Sequence, residues 1–161
     1  MLQAGVMAPD FDVPVLISGV RKQFRLSEHR NKANLVLAFY PVNWEPLSAQ
    51  QMVAYQVERE KFLAQEAEVL AISVDCVMNT TAWEREIGPF DFFMGSDFWP
   101  HGEVSRRYGV LREEEPAKGA SERAIFVIDK GGRVRFGRIY PVNQLPDLEE
   151  TLSALRELSR N

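Results

Sequence analysis

Residues 33–51 read ANLVLAFYPVNWEPLSAQQ. From Leu35 to Tyr40 every side chain is apolar or aromatic, as expected for a strand buried on both faces of a sheet. Pro41 ends that strand. Leu47, Met52, Tyr55, Phe62 and Leu63 then recur at mostly helical intervals and predict a helix from about Pro46 to Gln65. AEVLAISVD (67–75) reads as a second buried strand. Strand, helix and strand over 34–74 make a βαβ unit with a right-handed crossover, and this unit decides for an α/β fold. In such sheets ligands bind beyond the carboxyl ends of the strands, so the first strand delivers Pro41 to Ser48 to the expected site.

Outward from this unit, APDFDVPVL (8–16) and GVRKQFRLSE (19–28) predict an N-terminal β-hairpin turning at Gly19. NTTAWEREIG (79–88) predicts a short helix capped by Asn79 or Thr80 and stopped by Gly88. A short strand in FDFFMGSD (90–97) and a short helix in HGEVSRRYGV (101–110) follow. RAIFVIDKGGRVRFGRI (123–139) is the clearest hairpin, two strands about an Asp-Lys-Gly-Gly turn. LPDLEETLSALRELS (145–159) is a closing amphipathic helix with Leu148, Leu152, Leu155 and Leu158 on one face. The polar loop 112–121 is too short to separate domains, so residues 1–161 are expected to form one domain: a mixed central sheet flanked by helices.

Composition narrows the function classes. The 161 residues are 45% hydrophobic, enough for one sizeable core. The net charge is −4 and the nineteen Lys and Arg are dispersed, which argues against nucleic acid as a partner. No apolar run approaches the roughly twenty residues of a membrane span, and MLQAGVMAPDFD lacks the basic and apolar regions of a signal peptide. A soluble cytoplasmic protein is expected. The single cysteine, Cys76, excludes an internal disulfide. His29 and His101 are far apart in polar surroundings and read as exposed side chains, so no metal site or cofactor is implied.

Five segments taken in order resemble the peroxiredoxins of the alkyl hydroperoxide reductase/thiol-specific antioxidant family, which have a thioredoxin-like fold. They are APDFDVPVL, VLAFYPVNWEPLS, AISVD, SDFWPHGEVSRRYGV and SERAIFVIDKGGRVRF, and they extend over nearly the whole chain. The resemblance implies a site built on a Pro-x-x-x-Thr-x-x-Cys pattern and a distant arginine, with the cysteine thiolate attacking the peroxide. Carried onto this chain, the proline is Pro41 and the arginine is Arg123, while Glu45 stands at the threonine position and Ser48 at the cysteine position. Tyr40 and Trp44 become walls of the pocket. The implied ligand is a peroxide or a small oxygen-rich molecule, held by backbone N–H groups at the helix start and by Arg123. The resemblance also implies a homodimer, with aromatic residues among Phe90, Phe92, Phe93, Phe98 and Trp99 at the contact, and an external thiol as reductant if the site is active.

Each departure has a chemical meaning. Glu45 can accept a hydrogen bond as threonine would; unpaired, it would raise the pKa of a neighbouring thiol, and pairing with Arg123 would offset that. A serine hydroxyl is far less acidic than a thiol and needs an adjacent general base to act as a nucleophile. With serine at position 48 the chain reads as an inactive relative; with cysteine it would be a one-cysteine thiol peroxidase. Taken alone, Ser48 also reads as a serine just inside a helix start that satisfies backbone N–H groups or faces water, and only the surrounding match favours the site. Arg123 has a comparable alternative, the exposed end of a strand paired with Glu122 or Glu45. Cys76 reads as a small buried hydrophobe or as a relocated redox thiol. A non-catalytic binding or scaffold protein on the same fold competes with the enzyme reading.

Overall fold

A computed structural model describes residues 1–160. The expected βαβ unit is present: β3 (Asn34–Phe39) and β4 (Ala67–Ser73) pair in parallel, with Phe39 opposite Ile72. On the far side of β4 lies β5 (Phe93–Ser96), also parallel. The N-terminal hairpin of β1 (Asp12–Ile17) and β2 (Val20–Arg25) joins antiparallel to β5 through β1. Its two-residue turn is Ser18-Gly19, both at positive φ, the conformation that matches the twist of paired strands. On the other side β6 (Arg123–Ile128) runs antiparallel to β3, and β7 (Val134–Tyr140) antiparallel to β6. The strand order is β2-β1-β5-β4-β3-β6-β7.

Alternation along the central strands sorts the core into two layers. Val36, Ala38, Tyr40, Ile125 and Val127 pack under α2 (Pro46–Val57), α4 (Val77–Ile87) and α6 (Leu148–Leu158), against Met52, Tyr55, Trp83, Leu152 and Leu155. Leu35, Leu37, Phe39, Ala124 and Phe126 face the other way. They meet Val104 and Tyr108 of the segment around α5 (Glu103–Arg107), and Val13 and Phe24 of the hairpin. Leu152 and Leu155 are buried and Leu148 and Leu158 partly so, as the leucine spacing requires.

Four expectations need correction. The helix over 46–65 is two helices: α2 ends at Val57 and α3 (Arg59–Leu63) follows after Glu58. The break falls at Glu58, whose φ of −96° and ψ of 12° leave the helical region, and Phe62 still packs against Tyr55. Helix α4 starts before Asn79, with Cys76 as its N-cap, because the side chains of Asn79 and Thr80 are engaged by the loop after β3. A short helix, α1 (Leu26–His29), was not expected. Its His29 is not exposed: the ring packs beside Phe24 and Phe93, with only 13% of the side chain accessible. Among the described residues, no helix is long and apolar enough to cross a membrane.

Candidate active site

The pairing of β6 with β3 brings the two halves of the site together. Because the strands are antiparallel, the first residues of β6 lie beside the last residues of β3, with Ala124 opposite Phe39. Arg123 shares the parity of Ile125 and Val127, so its side chain lies on the face covered by α2. Helix α2 begins just beyond the end of β3. Arg123 thus meets the first turn of a helix 75 positions away in sequence, and its Nη1 donates to Ser48 Oγ at 3.1 Å.

That first turn is built on Glu45, the N-cap, with Pro46 at the first helical position, where its missing N–H costs nothing. The Glu45 carboxylate folds back so that Oε2 accepts from the Ser48 backbone N–H at 2.8 Å and from the Ser48 hydroxyl at 2.5 Å. Oε2 also accepts from Arg123 Nη2 at 3.1 Å. The cap reading of Ser48 is therefore reversed: Ser48 is the residue that is capped, and it is fully buried. Arg123 is fully buried too, which removes the alternative of an exposed strand end. Glu122 pairs with Arg112 instead.

Two further groups complete the shell and had no signal in the sequence. Gln51, one turn after Ser48, is buried; its Oε1 accepts from Arg123 Nη1 at 2.8 Å and its Nε2 donates to the Tyr55 hydroxyl. The Val142 carbonyl accepts from Arg123 Nε and Nη2. Burial alone would raise the Glu45 carboxyl. The two bonds from Ser48 and the Arg123 guanidinium outweigh it and hold the carboxyl below its ordinary range.

Pro41 is buried at the end of β3, where the chain turns toward the helix. Among the described residues, neither Tyr40 nor Trp44 hydrogen-bonds to Ser48, Glu45 or Arg123. Tyr40 packs beside Trp83 and its hydroxyl donates to Asn43 Oδ1. Trp44 is 52% exposed, and its indole N–H donates to Asn79 Oδ1. Asn43 is the hub of this second network. Its backbone N–H donates to Asp75 and its Nδ2 to Asn79 and Thr80. These bonds hold Trp44 at φ +71°, a left-handed conformation that costs a non-glycine residue about 1–3 kcal/mol. The consequence is a sharp turn that aims Glu45 and the start of α2 at Arg123.

Cys76 is half-buried, not a closed core residue. It lines a cavity of about 550 Å³ between the hairpin, the start of α4 and α5, away from the Ser48 contacts. Met78, Phe98 and Trp99 line the same cavity and are 76%, 50% and 86% exposed, whereas Phe90 and Phe92 are core. Phe93 is partly buried.

A buried arginine, a hydroxyl and a carboxylate meeting at the first turn of a helix can bind and orient a small polar molecule. They do not make a good oxygen nucleophile, because a carboxylate held below its ordinary range is a weak base toward an alcohol. Residues 4–136 match the model of the AhpC/TSA family. The chain belongs to the AhpC/TSA family. It is 31% identical over 159 residues to alkyl hydroperoxide reductase E of Mycobacterium tuberculosis, covering 99% of both chains. With peroxiredoxin-2 of Mus musculus it shares 32% identity over 160 residues, covering 96% of this chain and 76% of that protein. Among solved structures, the reduced 2-Cys peroxiredoxin of Plasmodium vivax superposes with a TM-score of 0.91 at 22% identity, over 99% of this chain and 83% of that one. AhpC of M. tuberculosis superposes with a TM-score of 0.86 at 22% identity, over 99% and 94%. The AhpC/TSA fold is thus retained along the chain, from the hairpin to α6.

Proposed function

We propose that this chain is a peroxiredoxin-type protein whose peroxide pocket is kept in shape but lacks its nucleophile, leaving it without peroxidase turnover at position 48. One observation carries the reading: an oxygen, Ser48 Oγ, stands where Arg123, Glu45 and the start of α2 converge. A cysteine thiolate there would attack one peroxide oxygen. The O–O bond breaks, sulfur gains that oxygen as sulfenic acid, and the remaining oxygen leaves as water or alcohol after taking a proton. A serine oxygen making the same attack would only form a new O–O bond. The peroxide would be exchanged and not reduced, whatever base assists.

The relatives are named alkyl hydroperoxide reductase and peroxiredoxin, which supports peroxide as the ligand class. Pro41, Glu45, Ser48 and Arg123 form the pocket in this reading. Its role in the protein as it stands is binding, or scaffolding of a homodimer, and not turnover. A competing reading assigns redox function to Cys76, on the observation that this thiol is half-buried and lines an open cavity.

Hydrogen peroxide consumption driven by a small dithiol distinguishes them. The protein should match the protein-free background, and Cys76→Ala should change nothing. Turnover lost in Cys76→Ala would establish the competing reading, and turnover that survives Cys76→Ala but is lost in Ser48→Ala would overturn the proposal outright.

A further inference from the structure

The donors of Arg123 and Ser48 are all engaged by the protein itself. A guanidinium has five N–H groups, and those of Arg123 all have partners. Nε and Nη2 reach Val142, Nη1 reaches Ser48 and Gln51, and Nη2 also reaches Glu45. The Ser48 N–H and O–H both point at one atom, Glu45 Oε2. A helix-start N–H, a hydroxyl and a buried guanidinium, drawn from two separate elements, thus converge on a single carboxylate oxygen. An ordinary N-cap accepts backbone N–H bonds of the first turn and no more. Glu45 does that and in addition neutralises an arginine with no solvent access, while 32% of its own side chain stays exposed.

These donors are the ones that the proposed function assigns to peroxide, and the inference rests on that assignment of the pocket. We propose that Glu45 is a built-in occupant of the pocket: its carboxylate fills the ligand position and keeps it closed, and the place it fills is a binding site for a small free carboxylate such as acetate or formate. While the three bonds hold, the Ser48 and Arg123 donors that a ligand would need are taken. Entry requires the Glu45 side chain to turn outward through its exposed side. The incoming molecule must then supply an oxygen that accepts from the Ser48 N–H and from Arg123, and a negative charge that replaces the one withdrawn. A planar monoanion with the charge and size of the departed carboxylate meets both demands. Neutral hydrogen peroxide meets only the first, since withdrawing Glu45 would leave the buried guanidinium without a counter-charge.

The test uses Glu45→Ala and Glu45→Thr beside the unaltered protein, with acetate, formate and chloride as probes. Both variants should melt below the parent. Acetate at about ten times its Kd should raise their midpoints by roughly 3–5 °C, with the parent unmoved. Carbon-13 acetate should broaden on adding either variant and not on adding the parent. If a variant fails to fold in plain buffer, its refolding yield reads the same occupancy and should rise with acetate but not with chloride. Equal responses of all three proteins, or equal effects of acetate and chloride on the variants, would overturn the proposal. The assay involves no peroxide chemistry. Turnover at Ser48 would sink both readings, because it requires peroxide to enter a pocket that Glu45 closes, whereas an absent acetate effect in an inert protein would sink this one alone.

Discussion

At the scale of the residue, Ser48 differs from a peroxidatic cysteine by one atom, and the consequence is electronic, not steric. On the proposed reading, oxygen cannot take up the peroxide oxygen as sulfur does, so the pocket around position 48 keeps its geometry without the reaction. Glu45 is the second informative residue. Its carboxyl is held below the ordinary value, which means the folded state binds a proton there less readily than the unfolded chain does. Its contribution is present above the unfolded pKa of about 4.5 and is lost as pH falls through the folded value. Glu45→Gln should therefore destabilise the protein by about 2 kcal/mol at pH 7, and by clearly less at pH 3. Urea denaturation of both proteins at the two pH values checks this, and an unchanged difference would show that the Arg123 pair contributes nothing to folding. Arg123 was open to sequence reasoning because a charge at the head of a buried strand needs a partner, and strand parity selects the face on which to seek it. The reach of Glu45 to three donors was not, since the backward fold of its side chain depends on a cap geometry that residue types alone do not specify.

At the scale of the element, the first turn of α2 is aimed by the loop from Pro41 to Glu45, and that loop is fastened to α4 through Asn43. Four bonds meet at this residue: from the Tyr40 hydroxyl and to Asp75, Asn79 and Thr80. Asn43→Ala keeps the backbone bond to Asp75 and removes the side-chain bonds, leaving the buried Tyr40 hydroxyl and Thr80 short of partners. A loss of about 2–4 kcal/mol in urea denaturation is expected, together with faster amide exchange at Trp44 through Ser48. A cost under about 0.5 kcal/mol would mean that the turn at Trp44 is held by something else. The same network accounts for what the sequence concealed at this scale. Asn79 and Thr80 have the chemistry of helix caps, yet both belong to the tertiary lock, and α4 starts three residues earlier on Cys76. The central strands and closing helix, by contrast, were legible because burial on both faces and leucine spacing are written directly in residue type.

At the scale of the whole molecule, the sheet order, the hairpin and the two core layers put the pocket and the Cys76 cavity on different parts of the surface. Met78, Phe98 and Trp99 form an exposed apolar rim on the second of these, of the kind that marks an association surface. In the proposed homodimer a second copy covers it. Light scattering should give twice the chain mass for the parent and the chain mass for Trp99→Glu, with circular dichroism unchanged. A parent that is monomeric at micromolar concentration would contradict this. The resemblance implied a contact among Phe90, Phe92, Phe93, Phe98 and Trp99, but nothing along the chain told which of these are exposed, because exposed and buried aromatics look alike in a sequence. The claim on which the rest depends is that position 48 sits at a peroxide site that lacks its sulfur and is closed by Glu45. Intact-mass measurement after a brief, equimolar exposure to hydrogen peroxide tests it most directly, with Cys76→Ala as the common background and dimedone to trap sulfenic acid. The chain with Ser48 should remain unmodified, and Ser48→Cys combined with Glu45→Thr should take up one dimedone within seconds, at least a hundred times faster than free cysteine. Labelling of the double variant no faster than free cysteine would contradict the account.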